Sequence, residues 1–111
     1  MAEPKHILIS NDDGINAHGI GVLEDAVRSL GRFRITVVAP HDQQSASSHS
    51  LTLTSPLRII EHGPGRFAVT GTPTDTVLVA MEKILRSDPP DYVMSGINHG
   101  GHIFGLLLVV A

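Results

Sequence analysis

The sequence predicts an α/β domain built on a parallel sheet, and three observations carry that prediction. Short apolar runs stop abruptly at turn residues, the first being Ile7-Leu8-Ile9-Ser10 before Asn11-Asp12-Asp13-Gly14. Ile20, Leu23, Val27 and Leu30 then recur at intervals of three and four, one face of a helix. A β-branched run, Ile35-Thr36-Val37-Val38-Ala39, follows and ends at Pro40. Strand, helix and strand in that order form a βαβ unit, which builds parallel sheets with right-handed crossovers.

Each element has its own local cause. The helix runs from His18 to Leu30, and Gly31 supplies its stop. Residues 41 to 50 (His-Asp-Gln-Gln-Ser-Ala-Ser-Ser-His-Ser) are small and polar, a loop by composition. Leu51 to Thr54, Leu57 to Glu61 and Arg66 to Thr70 read as short strands, with Gly63-Pro64-Gly65 joining the last two as a hairpin. Thr72-Pro73-Thr74-Asp75 opens a second helix with a capping Thr, Pro at the first helical position and an acid in the first turn. Its buried stripe reads as Val77, Leu78, Met81, Ile84 and Leu85. Pro89-Pro90 precedes a last strand, Tyr92-Val93-Met94-Ser95, which ends at Gly96-Ile97-Asn98. With no internal repeat and no linker, residues 1–111 read as a single domain.

Composition removes several function classes. The chain holds 41% hydrophobic and 17% charged residues, as a globular domain does. Folding at this length buries roughly 65% of the unfolded chain's surface, enough for one modest core. Eight basic against eleven acidic residues give a net charge of -3, with no basic run to track a nucleic-acid duplex. No cysteine is present, so disulfides, thiolate metal sites and a Cys nucleophile are excluded. The first six residues lack the charged-then-apolar layout of a signal peptide. The longest apolar stretch, Ile103 to Ala111, is too short to span a bilayer. A cytoplasmic location without membrane contact is the expectation, and Leu106 to Val110 reads as an apolar patch that seeks a partner.

Parallel α/β sheets bind ligands outside the carboxyl ends of their strands. Asn11-Asp12-Asp13-Gly14, the loop after Ala39 and Gly96-Ile97-Asn98 all sit at such ends, so three loops distant in sequence converge. Asp12 and Asp13 are adjacent carboxylates that repel unless positive charge stands beside them. A hard divalent cation resolves the repulsion, since it prefers carboxylate, amide and hydroxyl oxygen. Ser45, Ser47, Ser48 and Asn98 offer the neutral oxygens. The plainer alternative is that Asp12 caps its turn and both acids are solvated.

Other chemistries fit less well. The seven histidines, at 6, 18, 41, 49, 62, 99 and 102, lack the paired spacing of a zinc helix. No Gly-x-Ser-x-Gly elbow supports a serine hydrolase. A response-regulator receiver needs a phospho-accepting Asp where Gly96 stands, and a haloacid-dehalogenase-type phosphatase needs two acids separated by one residue.

Taken together, Ile-Leu-Ile-Ser-Asn-Asp-Asp-Gly at 7 to 14, Val-Val-Ala-Pro at 37 to 40 and Ser-Leu-Thr-Leu at 50 to 53 form the first part of a pattern. Gly-Thr-Pro-Thr-Asp at 71 to 75 and Ser-Gly-Ile-Asn at 95 to 98 complete it. In order and spacing these motifs resemble the SurE family of metal-dependent 5′/3′-nucleotidases, over residues 6 to about 101. The resemblance implies a Rossmann-like three-layer α/β fold that dephosphorylates nucleoside monophosphates with Mg²⁺ or Mn²⁺. Carried over by position, the metal ligands are Asp12, Asp13, Ser45 and Asn98. Asp12 and Asp13 are also the catalytic pair that orients or deprotonates water. Asn11 and Gly14 shape the first turn and, with Ser95 and Gly96, form the substrate-binding set.

The chain departs from the family in places. Gln43-Gln44 precede Ser45 where a basic residue is usual, and His49 stands where an Asn is usual. After Gly101 it reads His102 to Ala111 in place of the family's acidic and Tyr-Ser-Gly-Thr continuation. The resemblance therefore marks an apparently truncated, N-terminal portion of the family domain with an atypical tail. Two functions follow: turnover of nucleotides, or binding of metal or nucleotide without turnover. A homodimer or tetramer is the assembly that the family implies.

Overall fold

A computed structural model describes residues 4–42, 56–97 and 107–110, the last four as backbone. The strand β1 (Lys5–Ser10) is buried at every residue after Lys5. Such a run of consecutive apolar side chains suits a strand covered on both faces. Ile7 and Ile9 face one way and Leu8 the other, as the two-residue period of a strand requires. β1 pairs in parallel with β2 (Phe33–Pro40) on one side and with β5 (Tyr92–Ser95) on the other.

The complete sheet runs β3-β4-β2-β1-β5-β6, with β3 at Ile59–Glu61, β4 at Arg66–Val69 and β6 at Leu107–Val110. The β2–β4 pairing is also parallel, and the two outer pairings are antiparallel. The β3–β4 hairpin is antiparallel because Gly63-Pro64-Gly65 is too short for a crossover; Gly63 and Gly65 have φ of 109° and 72°. Leu106 to Val110 thus finds part of its partner within the chain, since the backbone of 107–110 pairs with the β5 edge. The strand expected at Leu51 to Thr54 lies outside the described residues.

Helices close both faces, giving the three-layer α/β architecture. The helix α1 (His18–Ser29) places Ile20, Leu23 and Val27 against Ile7, Ile9, Val37 and Ala39. Buried Glu24 on α1 accepts from Arg28 at 2.7 Å and pairs with Arg66 of β4 at 3.0 Å. The helix is thereby fixed to the sheet by charge as well as by apolar contact.

The second helix, α2 (Pro73–Val79), continues through a π-helical turn at Ala80–Ile84 and covers the opposite face. The Thr72 side chain accepts from the Asp75 N–H at 3.1 Å, and the Asp75 carboxylate accepts from the Thr72 N–H at 3.0 Å. This is a complete capping box, so the Thr72-to-Asp75 stretch acts as a helix start. The predicted stripe needs one correction. Leu78 is 56% exposed, while Thr76, Ala80 and Leu85 are buried. Leu85 N–H bonds to Ala80 O, five residues back, and that wide turn slips the phase counted backward from Ile84 and Leu85.

The amino end of the sheet is sealed by polar groups. His6 is buried; its ring meets Thr36 Oγ1 at 2.8 Å and the Asp88 carbonyl at 3.1 Å, and its N–H donates to Asp91 at 2.8 Å. Arg34 grips the Asp88 carboxylate through two nitrogens, at 2.6 and 3.1 Å. Those hydrogen bonds hold the Asp88 carboxyl below its ordinary value, against a desolvation cost; the charges of Arg34 and His6 add to the effect.

One contact at the carboxyl end locks helix to strand. A methyl group at Gly19, in the first turn of α1, would lie 1.9 Å from the Ile97 carbonyl oxygen. Gly19→Ala is therefore expected to destabilise by about 1–3 kcal/mol. Gly21→Ala meets nothing within 4 Å and is expected to stabilise by about 0.5–1 kcal/mol. Urea unfolding of the two variants checks both signs. A carboxyl whose folded pKa is depressed stabilises above its unfolded value, 3.8 for Asp88, and loses that contribution as pH falls through the folded value. In Arg34→Ala the Asp88 titration, followed by NMR, should move upward and acid unfolding should begin at a higher pH.

Candidate functional site

The site is assembled at the carboxyl edge of the sheet by the register of its central strands. Ser10 stands opposite Ser95, so the turns that follow β1 and β5 leave the sheet side by side. The Gly96 N–H donates to the Ser10 carbonyl at 2.8 Å and ties the second turn to the end of the first strand.

The acidic turn is shaped by its first and last residues. Asn11 is buried, its Nδ2 donates to the Gly14 carbonyl at 2.9 Å and its Oδ1 accepts from the Gly14 N–H at 3.1 Å. Gly14 has φ of 106°, a conformation that favours glycine. The next residue, Ile15, donates its N–H to the Pro40 carbonyl at 2.8 Å, anchoring the turn to the end of β2. Asp12 on this turn is exposed and Asp13 is half-buried. The two carboxylates are thus presented at the edge by a turn that Asn11 and Gly14 close.

Beside them, the turn after β5 contributes Ser95, half-buried, and Gly96, buried with φ of 146°. The N–H groups of Gly14 and Gly96 are both committed to protein acceptors. These glycines therefore contribute space for a close approach rather than donors. Ser45 and Asn98 lie outside the described residues, as do Ser47, Ser48, His49, His99 and His102. At the end of β2 the His41 ring contacts Asp42 at 3.1 Å and meets the His62 ring edge-on, 6.4 Å between centroids.

The Asp12 and Asp13 carboxylates are hard oxygen donors of the kind a divalent cation prefers. Among the described residues no group of three or more His, Cys, Asp and Glu side chains is placed to hold a metal. Two carboxylates are fewer oxygens than a divalent cation takes, so neutral oxygens would have to supply the rest.

Two features escaped the sequence reading. Ser10 is 2% exposed, and its Oγ has no hydrogen-bond partner among the described residues. Its position one residue before Asn11 carried the signal, because a strand's two-residue period puts it on the same face as Leu8. The Gly19–Ile97 contact carried none, since nothing local to Gly19 announces a backbone 78 positions away.

Comparison with known proteins gives a consistent picture. The family described as Survival protein SurE matches residues 7–104. A 5′-nucleotidase SurE from Vibrio campbellii is 49% identical over 102 residues, covering 92% of this chain and 39% of the relative. Another, from Gemmatimonas aurantiaca, is 58% identical over 94 residues, covering 85% and 36%. The crystal structure of the SurE protein from Aquifex aeolicus matches with a TM-score of 0.74 and 41% identity, over 86% of this chain and 38% of that one. The chain thus spans less than two fifths of the length of these relatives. With the motifs, the sheet order and the family match in agreement, this chain belongs to the SurE family.

Proposed function

We propose that this chain is a metal-dependent phosphomonoesterase that hydrolyses nucleoside 5′- and 3′-monophosphates to nucleoside and phosphate. The observation that carries the reading is the β1–β5 register, which sets the Asp12-Asp13 turn beside the Ser95-Gly96 turn. Its likeness to relatives named 5′-nucleotidases supports the nucleotide substrate. In this reading residues 1–111 are the N-terminal portion of a single cytoplasmic nucleotidase domain that binds no nucleic-acid duplex and no membrane. Among the described residues no helix is long and apolar enough to cross a membrane. Assembly as a homodimer or tetramer belongs to the same proposal.

Asp12, Asp13, Ser45 and Asn98 would hold Mg²⁺ or Mn²⁺. When bound, the cation supplies positive charge to the phosphate oxygens and acidifies a water molecule. Asp12 and Asp13 hold that charge at the edge, and one of the pair orients the attacking water and accepts its proton. Attack of the water oxygen on phosphorus in line with the ester forms one P–O bond as the bond to the ribose oxygen breaks, and that oxygen takes a proton from solvent and leaves as the nucleoside. Ser95 donates to a phosphate oxygen, and the missing side chains of Gly14 and Gly96 leave room for the group.

A second reading is binding of the cation or nucleotide without turnover. Catalysis demands tighter positioning than binding, so the two readings separate on turnover.

Phosphate release from a nucleoside monophosphate, with Mn²⁺ and a chelator control, tests both. Chelator-sensitive release is the expected result, falling about 100-fold or more in Asp13→Asn. Unchanged metal-dependent turnover in that variant would remove Asp13 from the site. Heat of Mn²⁺ and nucleotide binding by calorimetry, with no phosphate released, would establish the second reading.

A further inference from the structure

Ser10 raises a chemical question that the proposed reaction leaves open. Its Oγ is sealed from solvent and bonded to nothing among the described residues. A buried hydroxyl without a partner lowers stability, because it gives up water and receives nothing in return. Such a group in a folded protein calls for an explanation.

The face on which it stands narrows the explanation. Ile7 and Ile9 belong to the apolar cluster under α1, whereas Leu8 belongs to the cluster under α2 with Val38, Val69 and Ala80. Alternation puts Ser10 on the α2 face with Leu8. Leu8 is opposite Val93, which packs on the same cluster, so Ser95, two residues on and opposite Ser10, shares that face. Ser10 is therefore flanked on its own strand by Leu8 and across β2 by the level of Val38, and hydrocarbon offers neither donor nor acceptor. The hydroxyl beside it is that of Ser95, half-buried where Ser10 is closed off. Ser95 stands level with Ser10 at the carboxyl edge and is the more exposed of the two.

We propose that Ser10 is a positioning residue that acts through Ser95. When a phosphate-class anion binds at the carboxyl edge, the Ser10 hydroxyl donates to Ser95 Oγ, and Ser95 turns its own proton outward onto an oxygen of the anion. Two hydroxyls in series polarise one another, so the outer one becomes the better donor. The proposal rests on the reading of Ser95 as a phosphate-facing residue. It differs from that reading in assigning a task to a side chain that solvent does not reach.

Calorimetric titration with inorganic phosphate, with and without Mn²⁺, and thermal unfolding form the test. Ser10→Ala, Ser10→Thr, Ser95→Ala and the Ser10→Ala/Ser95→Ala double variant are compared with the unsubstituted chain. Ser10→Ala should melt about 2–5 °C higher, since an unsatisfied polar group is gone. It should bind phosphate about 3- to 10-fold more weakly, with Mn²⁺ affinity unchanged. Ser10→Thr, which keeps the hydroxyl, should restore phosphate affinity. The double variant should bind no more weakly than Ser95→Ala, as expected when one residue acts through the other. A lower melting temperature in Ser10→Ala with phosphate affinity intact would make Ser10 a structural residue and overturn the proposal. Additive losses in the double variant would overturn its route through Ser95, and absence of phosphate binding in the unsubstituted chain would overturn it outright. Failure of Mn²⁺ alone to bind strikes the carboxylate site, and the metal-free phosphate titrations still decide the role of Ser10.

Discussion

Everything at the carboxyl edge depends on β1 being held on four sides. Hydrogen bonds to β2 and β5 fix its two edges, and the clusters under α1 and α2 cover its two faces. A strand so enclosed has one register: a slip by one residue would turn Ile7 and Ile9 away from α1 and expose the pattern of both faces. Burial of each large aliphatic side chain contributes about 1.5–3 kcal/mol, so the penalty for a slip is several times that. The position of the acidic turn is therefore set by apolar residues that take no part in any chemistry. Ser10, the last residue of the strand, is carried to its place opposite Ser95 by the same constraint.

The two ends of the sheet use polar groups in opposite ways. At the amino end, His6, Thr36, Asp88, Asp91 and Arg34 bond one another and close the layer. At the carboxyl end, Asn11 and Gly14 bond each other and present two carboxylates at the edge. A sheet whose strands point the same way concentrates turns of one kind at each end, which allows one end to be closed and the other to be adapted for a ligand. The buried Glu24, held by Arg28 and Arg66, serves the layer between, where it fastens α1 across to β4.

The extent to which the sequence disclosed this arrangement follows from the range of each interaction. Local signals were sufficient for β1, α1, β2, the Gly63-Pro64-Gly65 hairpin and the Thr72 cap, because periodicity, glycine and capping chemistry act within a few residues. The π turn at Ala80–Ile84 was not legible, and it moved Leu78 to the surface. Nothing in the composition of Ala80 to Ile84 marks it. The pairing of 107–110 with β5 was likewise hidden, since an apolar run of that length does not name its partner. At the site, the Asn11-to-Gly14 turn could be read from residue types alone. The face of Ser10 follows from its two-residue spacing from Leu8, but its lack of a hydrogen-bond partner does not, because that depends on the strands folding brings beside it.

The contact between Gly19 and Ile97 gives the edge a mechanical property. The Ile97 carbonyl occupies the volume that any side chain at position 19 would claim, and Ile97 N–H points back to the Gly19 carbonyl at 3.4 Å. The opening turn of α1 and the turn after β5 are thus seated on each other, backbone against backbone, with no flexible side chain between them to absorb a displacement. Gly96 is bonded in turn to Ser10, so helix, loop and central strand behave as one rigid piece at this corner. Glu24 on the same helix pairs with Arg66 on the far side of β2, so one helix carries both the backbone seat at the edge and the tie to the outer strand.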